Sequence, residues 1–103
     1  TRPGFQSSHH LYVMFLELEK LTIDRNQFID ELTARNIGSS VHYKPVHMMS
    51  YYANKYNLKP EHFPVSQNAF KRMLSLPLSS KLSPQDAQDA VAAIDEICQK
   101  YKR

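Results

Sequence analysis

Residues 23–38 read IDRNQFIDELTARNIG, and this stretch predicts the helix around which the rest of the fold is arranged. Asp24 is a good N-cap, and Gln27 three residues later can complete a capping box. Apolar residues then recur at helical spacing, which predicts a helix from about Arg25 to Asn36 with one buried face. Gly38 follows, and we expect it to end the helix in the left-handed conformation.

The segments on either side of this helix predict strands. Residues 10–18 (HLYVMFLEL) are rich in β-branched and aromatic side chains and too short for a typical helix. Residues 40–43 form a second short candidate, which Pro45 ends. Strand, helix and strand in this order predict a β-α-β unit.

Both faces of the first strand are apolar. Alternation places Leu11, Val13 and Phe15 on one face, with Tyr12, Met14 and Leu16 on the other. Helices can cover one face, and the other needs either the short middle elements or a second domain or subunit. The sequence leaves these two alternatives open.

The second half of the chain predicts further short elements. We expect a helix over 47–56, a loop over 60–64, a helix over 65–73 and a brief strand over 74–78. Ser83, Pro84 and Asp86 are typical of a helix start, and Ala87, Val91, Ile94, Ile97 or Cys98, and Tyr101 follow at helical spacing. Residues 1–103 are therefore expected to form a single α+β domain with two layers. Amphipathic helices would pack against a small, about three-stranded sheet.

Length and composition exclude several classes of protein. A chain of 103 residues forms one domain at most, and its longest apolar run, Leu11–Leu16, is far too short to span a membrane. Cys98 is the one cysteine, so no intramolecular disulfide forms and a cytoplasmic protein is expected. The chain begins at Thr1 without Met, which indicates a piece of a longer protein. Two glycines cannot build a P-loop or a dinucleotide turn, and the histidine spacing does not favour zinc.

The positive charge lies in the middle of the chain. Residues 37–82 carry six lysines and arginines against Glu61 alone, a net charge of +5, whereas each end of the chain is slightly negative. Histidines and tyrosines are interleaved with these cations, a mixture that suits an anionic, hydrogen-bonding ligand. An ordinary solvated loop would have the same composition, and no nucleic-acid-binding signature is present.

Residues 41–47 (VHYKPVH) concentrate the candidate site. A strand end, a proline bend and a helix start there present His42, Tyr43, Lys44 and His47 within a few residues of one another. Strand ends and helix starts are common places for anion contacts.

The order of several motifs resembles one known family. The motifs are HLYV (10–13), NIG (36–38), VHYKPVH (41–47), YY (51–52), LPL (76–78) preceded by Ser75, and LSPQD (82–86). Together they resemble the C-terminal small domain of DegT-type sugar aminotransferases. Those enzymes have fold type I and use pyridoxal phosphate (PLP). The resemblance covers about residues 8–98, and its most specific part is the His-Tyr-x-Pro-x-His run followed by the tyrosine pair.

The resemblance implies a homodimeric enzyme that moves an amino group from glutamate to a nucleotide-linked keto-deoxy sugar. It also implies that the lysine that binds PLP and the acid that pairs with the pyridine nitrogen belong to a larger N-terminal domain. Residues 1–103 would then have no catalytic residue, bind no cofactor and be inactive alone. His42 and Tyr43 would reach the substrate cleft, with Lys44 and His47 as weaker candidates, and Tyr51 and Tyr52 would either pack at an interface or contact substrate.

A second class of function is also open. The chain would then be a stand-alone basic module that binds an acidic ligand or a nucleic acid. The reading frame that encodes the chain distinguishes the two, because the enzyme requires an α/β domain of roughly 250 residues before Thr1.

Overall fold

The computed structural model describes residues 1–103 and confirms the α+β class. Two strands and four helices follow one another as β1 (Tyr12–Phe15), α1 (Arg25–Ala34), α2 (Ser50–Tyr56), α3 (Pro64–Arg72), β2 (Met73–Leu76) and α4 (Pro84–Lys100). Short 3-10 turns lie at Leu18–Lys20, Val46–Met48 and Pro60–His62. The helix predicted over 47–56 is thus divided into a 3-10 turn and α2, and the predicted loop over 60–64 contains a turn. None of the helices combines the length and apolar character needed to cross a membrane.

The sheet has two full strands rather than about three. β1 and β2 pair antiparallel from Tyr12 opposite Leu76 to Phe15 opposite Met73. On the other edge of β2, Ser40 forms a single antiparallel bridge with Ser75. The predicted strand over 40–43 is therefore reduced to one residue pair.

The neighbours of this bridge explain why it does not extend. The next pair on one side would be His42 with Met73, but the Met73 carbonyl accepts a hydrogen bond from Arg25 Nη1 at 3.0 Å. The next pair on the other side would involve Pro77, which has no N–H to donate. β2 therefore lies between β1 and Ser40, and the predicted β-α-β unit is split by a strand that comes later in the chain.

The core lies between the sheet and the helices α1 and α4. Its seven buried apolar residues are Leu16, Leu21, Phe28, Leu32, Leu74, Ala93 and Ile97. The predicted apolar stripe of α1 is confirmed. The predicted apolar stripe of α4 is confirmed only in part, because Val91 is 65% exposed and Ala93 is buried instead. Ala87 and Val91 are both exposed, so the first half of the predicted stripe does not face the core.

Both predicted helix starts are confirmed, but the predicted end of α1 is wrong. Asp24 and Ser83 each form a complete capping box. Asn36, not Gly38, is the left-handed residue, with φ of 61°. The N–H groups of Asn36 and Ile37 donate to the carbonyls of Thr33 and Leu32, which is a Schellman motif. Asparagine can take this role because its short polar side chain tolerates the left-handed region.

Two arginines join α3 to the sheet. Arg25 is 9% exposed, and its Nη1 donates to the carbonyl of Phe70 at 2.7 Å as well as to that of Met73. Arg72 Nε donates to the carbonyl of Leu16 at 2.8 Å. Burial lowers the pKa of Arg25 from its usual range. The junction of α3 and β2 is thereby held against both α1 and the end of β1.

One face of the sheet is only partly covered within the chain. Leu11 and Val13 are each 37% exposed and Phe15 is 51% exposed, whereas Leu16 on the other face is buried. α3 borders one end of this strip, where Arg72 lies over the Phe15 ring at 5.8 Å, but the middle helices leave all three side chains partly exposed. We refer to Leu11, Val13 and Phe15 as the open face.

Candidate functional site

The candidate site lies on the same side of the sheet as the open face. Leu74 points into the core, and strand alternation directs its neighbour Ser75 to the opposite side, together with Val13. Ser40 pairs with Ser75, and His42 follows two residues after Ser40. The sheet therefore brings the start of the VHYKPVH segment onto the face that no helix of the core covers.

His42 and Tyr43 lie together at this position. His42 Nδ1 is 3.0 Å from Ser75 Oγ, and the His42 ring contacts the Tyr43 ring edge-on with 4.9 Å between centroids. The peptide bond between the two residues is cis. Tyr43 is 68% exposed, and neither its hydroxyl nor His42 Nε2 has a hydrogen-bond partner in the chain. An imidazole nitrogen and a phenol are thus both available to a ligand.

A small pocket of about 170 Å³ adjoins His42. Its polar lining comes from the two imidazoles of His10 and His42 and from the three serines Ser39, Ser40 and Ser75. The Ser39 Oγ atom is buried and has no partner in the chain. The Ser39 hydroxyl is therefore a further polar group beside the candidate site. The pocket lining includes neither a lysine nor a carboxylate.

The electrostatic surroundings of the site are positive. The three ion pairs join Lys20 to Glu17 and Arg35 to Glu31 and Glu96, so none of them involves residues 37–82. Lys44 is exposed and has no hydrogen-bond or ion-pair partner. The excess of +5 predicted for the middle segment is therefore not neutralised by carboxylates of the chain.

His47 has different surroundings from His42. It is only 5% exposed, its ring is stacked on Phe63 at 4.9 Å, and its Nε2 lies 2.9 Å from Gln67 Oε1. These contacts join the turn at Val46–Met48 to the start of α3. His47 therefore fastens the end of the VHYKPVH segment to the fold, and the structure does not bring it together with His42.

The tyrosine pair lies on α2. The rings of Tyr51 and Tyr52 meet edge-on with 5.2 Å between centroids, and both residues are exposed. Lys55 Nζ lies over the Tyr51 ring at 5.4 Å and over the Tyr56 ring at 5.3 Å. Their packing at an interface, expected from the sequence, stays a prediction.

Sequence reasoning missed Ser75 and Ser39 as members of this site. Ser75 directly precedes the LPL motif, and its register opposite Ser40 comes only from the tertiary pairing. Alternation along the predicted strand over 74–78 could have separated Ser75 from the core residue Leu74, but not named His42 as its partner.

Two other kinds of site, a metal centre and a reactive cysteine, are not supported by the structure. No three His, Cys, Asp or Glu side chains are arranged to hold a metal ion. Cys98 packs against the core, and burial followed by the nearby Asp95 raises the pKa of its thiol. A raised pKa keeps the thiol protonated at neutral pH, which agrees with the role of a small core side chain.

Comparison with solved structures defines the class of this fold. A structure from Streptococcus pneumoniae described as "Putative sugar aminotransferase", in its PMP form, superimposes with a TM-score of 0.82 at 32% identity. The match covers 91% of this chain and 23% of that one. The α+β fold with the His42 segment beside the sheet is thus the fold of a domain of sugar aminotransferases.

The sequence comparison then assigns the family. Residues 1–95 match the profile of the DegT/DnrJ/EryC1/StrS aminotransferase family, and the chain belongs to this family. The spore coat polysaccharide biosynthesis protein SpsC of Bacillus subtilis is 39% identical over 89 residues, which is 85% of this chain and 23% of SpsC. The UDP-4-amino-4-deoxy-L-arabinose–oxoglutarate aminotransferase of Shewanella sediminis is 29% identical over 101 residues, which is 92% of this chain and 26% of that enzyme. The chain thus spans about a quarter of the length of the curated relatives that it matches.

Proposed function

We propose that this chain is the C-terminal small domain of a PLP-dependent aminotransferase that moves an amino group from glutamate onto a nucleotide-linked keto-deoxy sugar. The observation that carries the proposal is that a free His42 Nε2 and an exposed Tyr43 hydroxyl lie side by side. Both groups are on the open side of the sheet and within the one positively charged segment. A relative whose name specifies a UDP-linked amino sugar and oxoglutarate supports this substrate class.

Each residue of the segment has a role in this proposal. The His42 imidazole exchanges a hydrogen bond with a substrate oxygen, and the Tyr43 hydroxyl donates to a second oxygen. The Lys44 ammonium, which has no partner of its own, pairs with a phosphate oxygen as a point charge. His47 belongs to the same segment and keeps it in place through Phe63 and Gln67.

The proposal assigns the cofactor to another part of the enzyme. PLP supplies the electron sink for amino transfer, and it needs a lysine amine and an acid at its ring nitrogen. The pocket beside His42 contains neither a lysine nor a carboxylate, so its residues do not fit PLP. We therefore propose that PLP binds to an N-terminal domain outside these residues, and that the chain is inactive alone.

The shape of the chain supports a partner domain. The accessible surface is 7729 Å², whereas a compact monomer of this mass exposes about 6,000 Å². The excess area is on the order of the area that an interface between two domains buries. An occupant of the open face would also border the His42 site, because Val13 and Ser75 lie opposite each other in the sheet. A homodimer in the cytoplasm is part of the proposal on the basis of the family resemblance.

The test uses the full-length enzyme and the variant His42→Ala. We expect bound PLP with a visible absorbance that shifts when glutamate is added, in both wild type and variant. We expect kcat/KM for the sugar nucleotide to fall roughly 10- to 100-fold, as for the loss of a hydrogen bond to a charged substrate. His62→Ala is the matched control, because His62 is exposed and has no partner.

Two results would contradict the proposal. If the full-length protein binds no PLP, the proposal of a PLP-dependent enzyme is wrong and the stand-alone basic module is favoured. Unchanged sugar-nucleotide kinetics in His42→Ala removes His42 from the site.

A further inference from the structure

Ser75 occupies the most constrained position of the sheet. It lies in β2 opposite Val13 of β1, and its backbone N–H and C=O both pair with Ser40 on the other edge, at 2.6 and 3.1 Å. The residue is only 4% exposed. Because strands hold its backbone on both sides, the direction in which its side chain leaves the sheet is set by the fold.

The Ser75 hydroxyl has one partner, the ring of His42. The Oγ to Nδ1 distance is 3.0 Å, and no other hydrogen bond of the Ser75 side chain or of the His42 ring exists in the chain. The two nitrogens of an imidazole point in different directions, so a ring held at Nδ1 directs Nε2 away from Ser75. A serine hydroxyl either accepts from Nδ1–H or donates to Nδ1, so the contact sets the direction of the ring in both tautomers.

We infer that Ser75 is a positioning residue, which orients the His42 imidazole so that Nε2 faces the sugar-nucleotide substrate. This inference rests on the proposed function and adds a residue that acts through His42 without touching the substrate. Without the Ser75 hydroxyl, the ring is free to turn about its Cβ–Cγ bond and to exchange the places of its two nitrogens. Part of the His42 contribution to substrate binding is then lost.

The first test is a double-mutant cycle in the full-length enzyme. Ser75→Ala is expected to lower kcat/KM for the sugar nucleotide roughly 3- to 10-fold, with the glutamate-dependent absorbance change of PLP unaffected. In the His42→Ala background the same substitution should have no further effect, because residues that act as a unit are not additive. Ser75→Thr keeps the hydroxyl and should restore most of the activity.

Matched variants separate orientation from folding. Ser80→Ala removes an exposed serine hydroxyl that lies outside the pocket beside His42 and has no partner, so wild-type kinetics are expected. If Ser75→Ala fails to fold, Ser75→Cys keeps the side-chain volume with a much weaker hydrogen bond and takes its place in the cycle. An equal loss from the Ser75 substitution in both backgrounds would show that Ser75 acts through the fold alone and would overturn the inference.

The second test does not depend on activity. Nuclear Overhauser contacts of the His42 ring protons in the full-length protein should define one ring orientation in wild type and a mixture of orientations in Ser75→Ala. The same single orientation in both proteins would overturn the inference. Because these contacts report the ring itself, they still decide the role of Ser75 if His42→Ala shows that the proposed substrate site is wrong.

Discussion

His42 and His47 lie five residues apart and serve different purposes. His42 has one ring nitrogen on Ser75 and the other free, beside the exposed Tyr43. His47 is buried, with its ring on Phe63 and its Nε2 on Gln67. A free nitrogen on a partly exposed ring suits ligand binding, whereas a buried and stacked ring suits the attachment of a loop to a helix.

At the scale of the residue, His47→Ala should therefore reduce stability. The substitution removes a stacked ring and a hydrogen bond, and we expect the free energy of unfolding to fall by about 1–3 kcal/mol. Denaturant unfolding of the full-length protein measures the change. Gln67→Ala removes the hydrogen bond but not the stacking, so it should cost less than His47→Ala. A loss of activity in His47→Ala at unchanged stability would show instead that His47 contacts the substrate directly.

At the scale of the element, α1 shows how a helix end is decided. The sequence predicts Gly38 as the left-handed residue, because glycine is the commonest choice at this position. The structure uses Asn36, because the Schellman hydrogen bonds from Asn36 and Ile37 require the turn directly after Arg35. Gly38 comes two residues too late for this geometry.

A pair of substitutions tests this assignment. Asn36→Ala places an ordinary side chain at φ of 61° and should cost about 0.5–1 kcal/mol. Gly38→Ala should be neutral or stabilise by about 0.4–1 kcal/mol, because its φ is not left-handed and nothing lies within 4 Å of an added Cβ. Thermal unfolding of the two variants provides the comparison. If Gly38→Ala destabilised the protein more than Asn36→Ala, the left-handed residue that ends α1 would be Gly38 instead.

At the scale of the whole molecule, the chain is expanded for its length. Its radius of gyration is 16.0 Å, whereas about 13 Å is typical of a compact chain of 100 residues. The core has seven residues and covers one side of the sheet only. A small core with a partly exposed apolar face agrees with the proposal that a neighbouring domain contributes part of the stability.

One polar cluster joins α1 to α4 across this small core. The Tyr101 hydroxyl donates to Glu31 Oε1, and Arg35 bridges Glu31 Oε2 at 2.7 Å and Glu96 Oε1 at 3.1 Å. The Tyr101 hydrogen bond, followed by that of Arg35, lowers the pKa of the Glu31 carboxyl from its ordinary value of 4.5.

This shift predicts a pH dependence with a definite sign. Because the folded-state pKa of Glu31 is lower than the unfolded one, the ionised carboxylate stabilises the fold above pH 4.5 and loses this effect as the pH falls through the lowered pKa. The melting temperature of Glu31→Gln should therefore be lower than that of wild type at neutral pH. The difference should shrink in acid. Glu61→Gln is the control, since Glu61 is exposed and unpaired, and a difference independent of pH for Glu31→Gln would refute the linkage.

Much of the fold and part of the candidate site could be predicted from the sequence. Both capping boxes, the Phe28 and Leu32 stripe and the two strands follow from local patterns, because these depend on residues within a few positions of each other. The stripe of α4 was harder to predict, because Val91 and Ala93 are both acceptable at a buried position. Only the packing of α4 against the rest of the core decides which one is covered.

The sequence by itself determined the α+β class and the helix starts, and its prediction of a site in the VHYKPVH segment stays a prediction. The family resemblance came from the same motifs and is confirmed. Only the tertiary structure decided that β2 lies between β1 and Ser40, and that Arg25 limits the predicted strand over 40–43 to one bridge. It also decided that Ser75 contacts His42 while His47 is buried. The physical reason is that Ser75 and His42 are 33 residues apart in the chain. Their contact depends on strand register, which is set by the packing of the whole domain rather than by neighbouring residues.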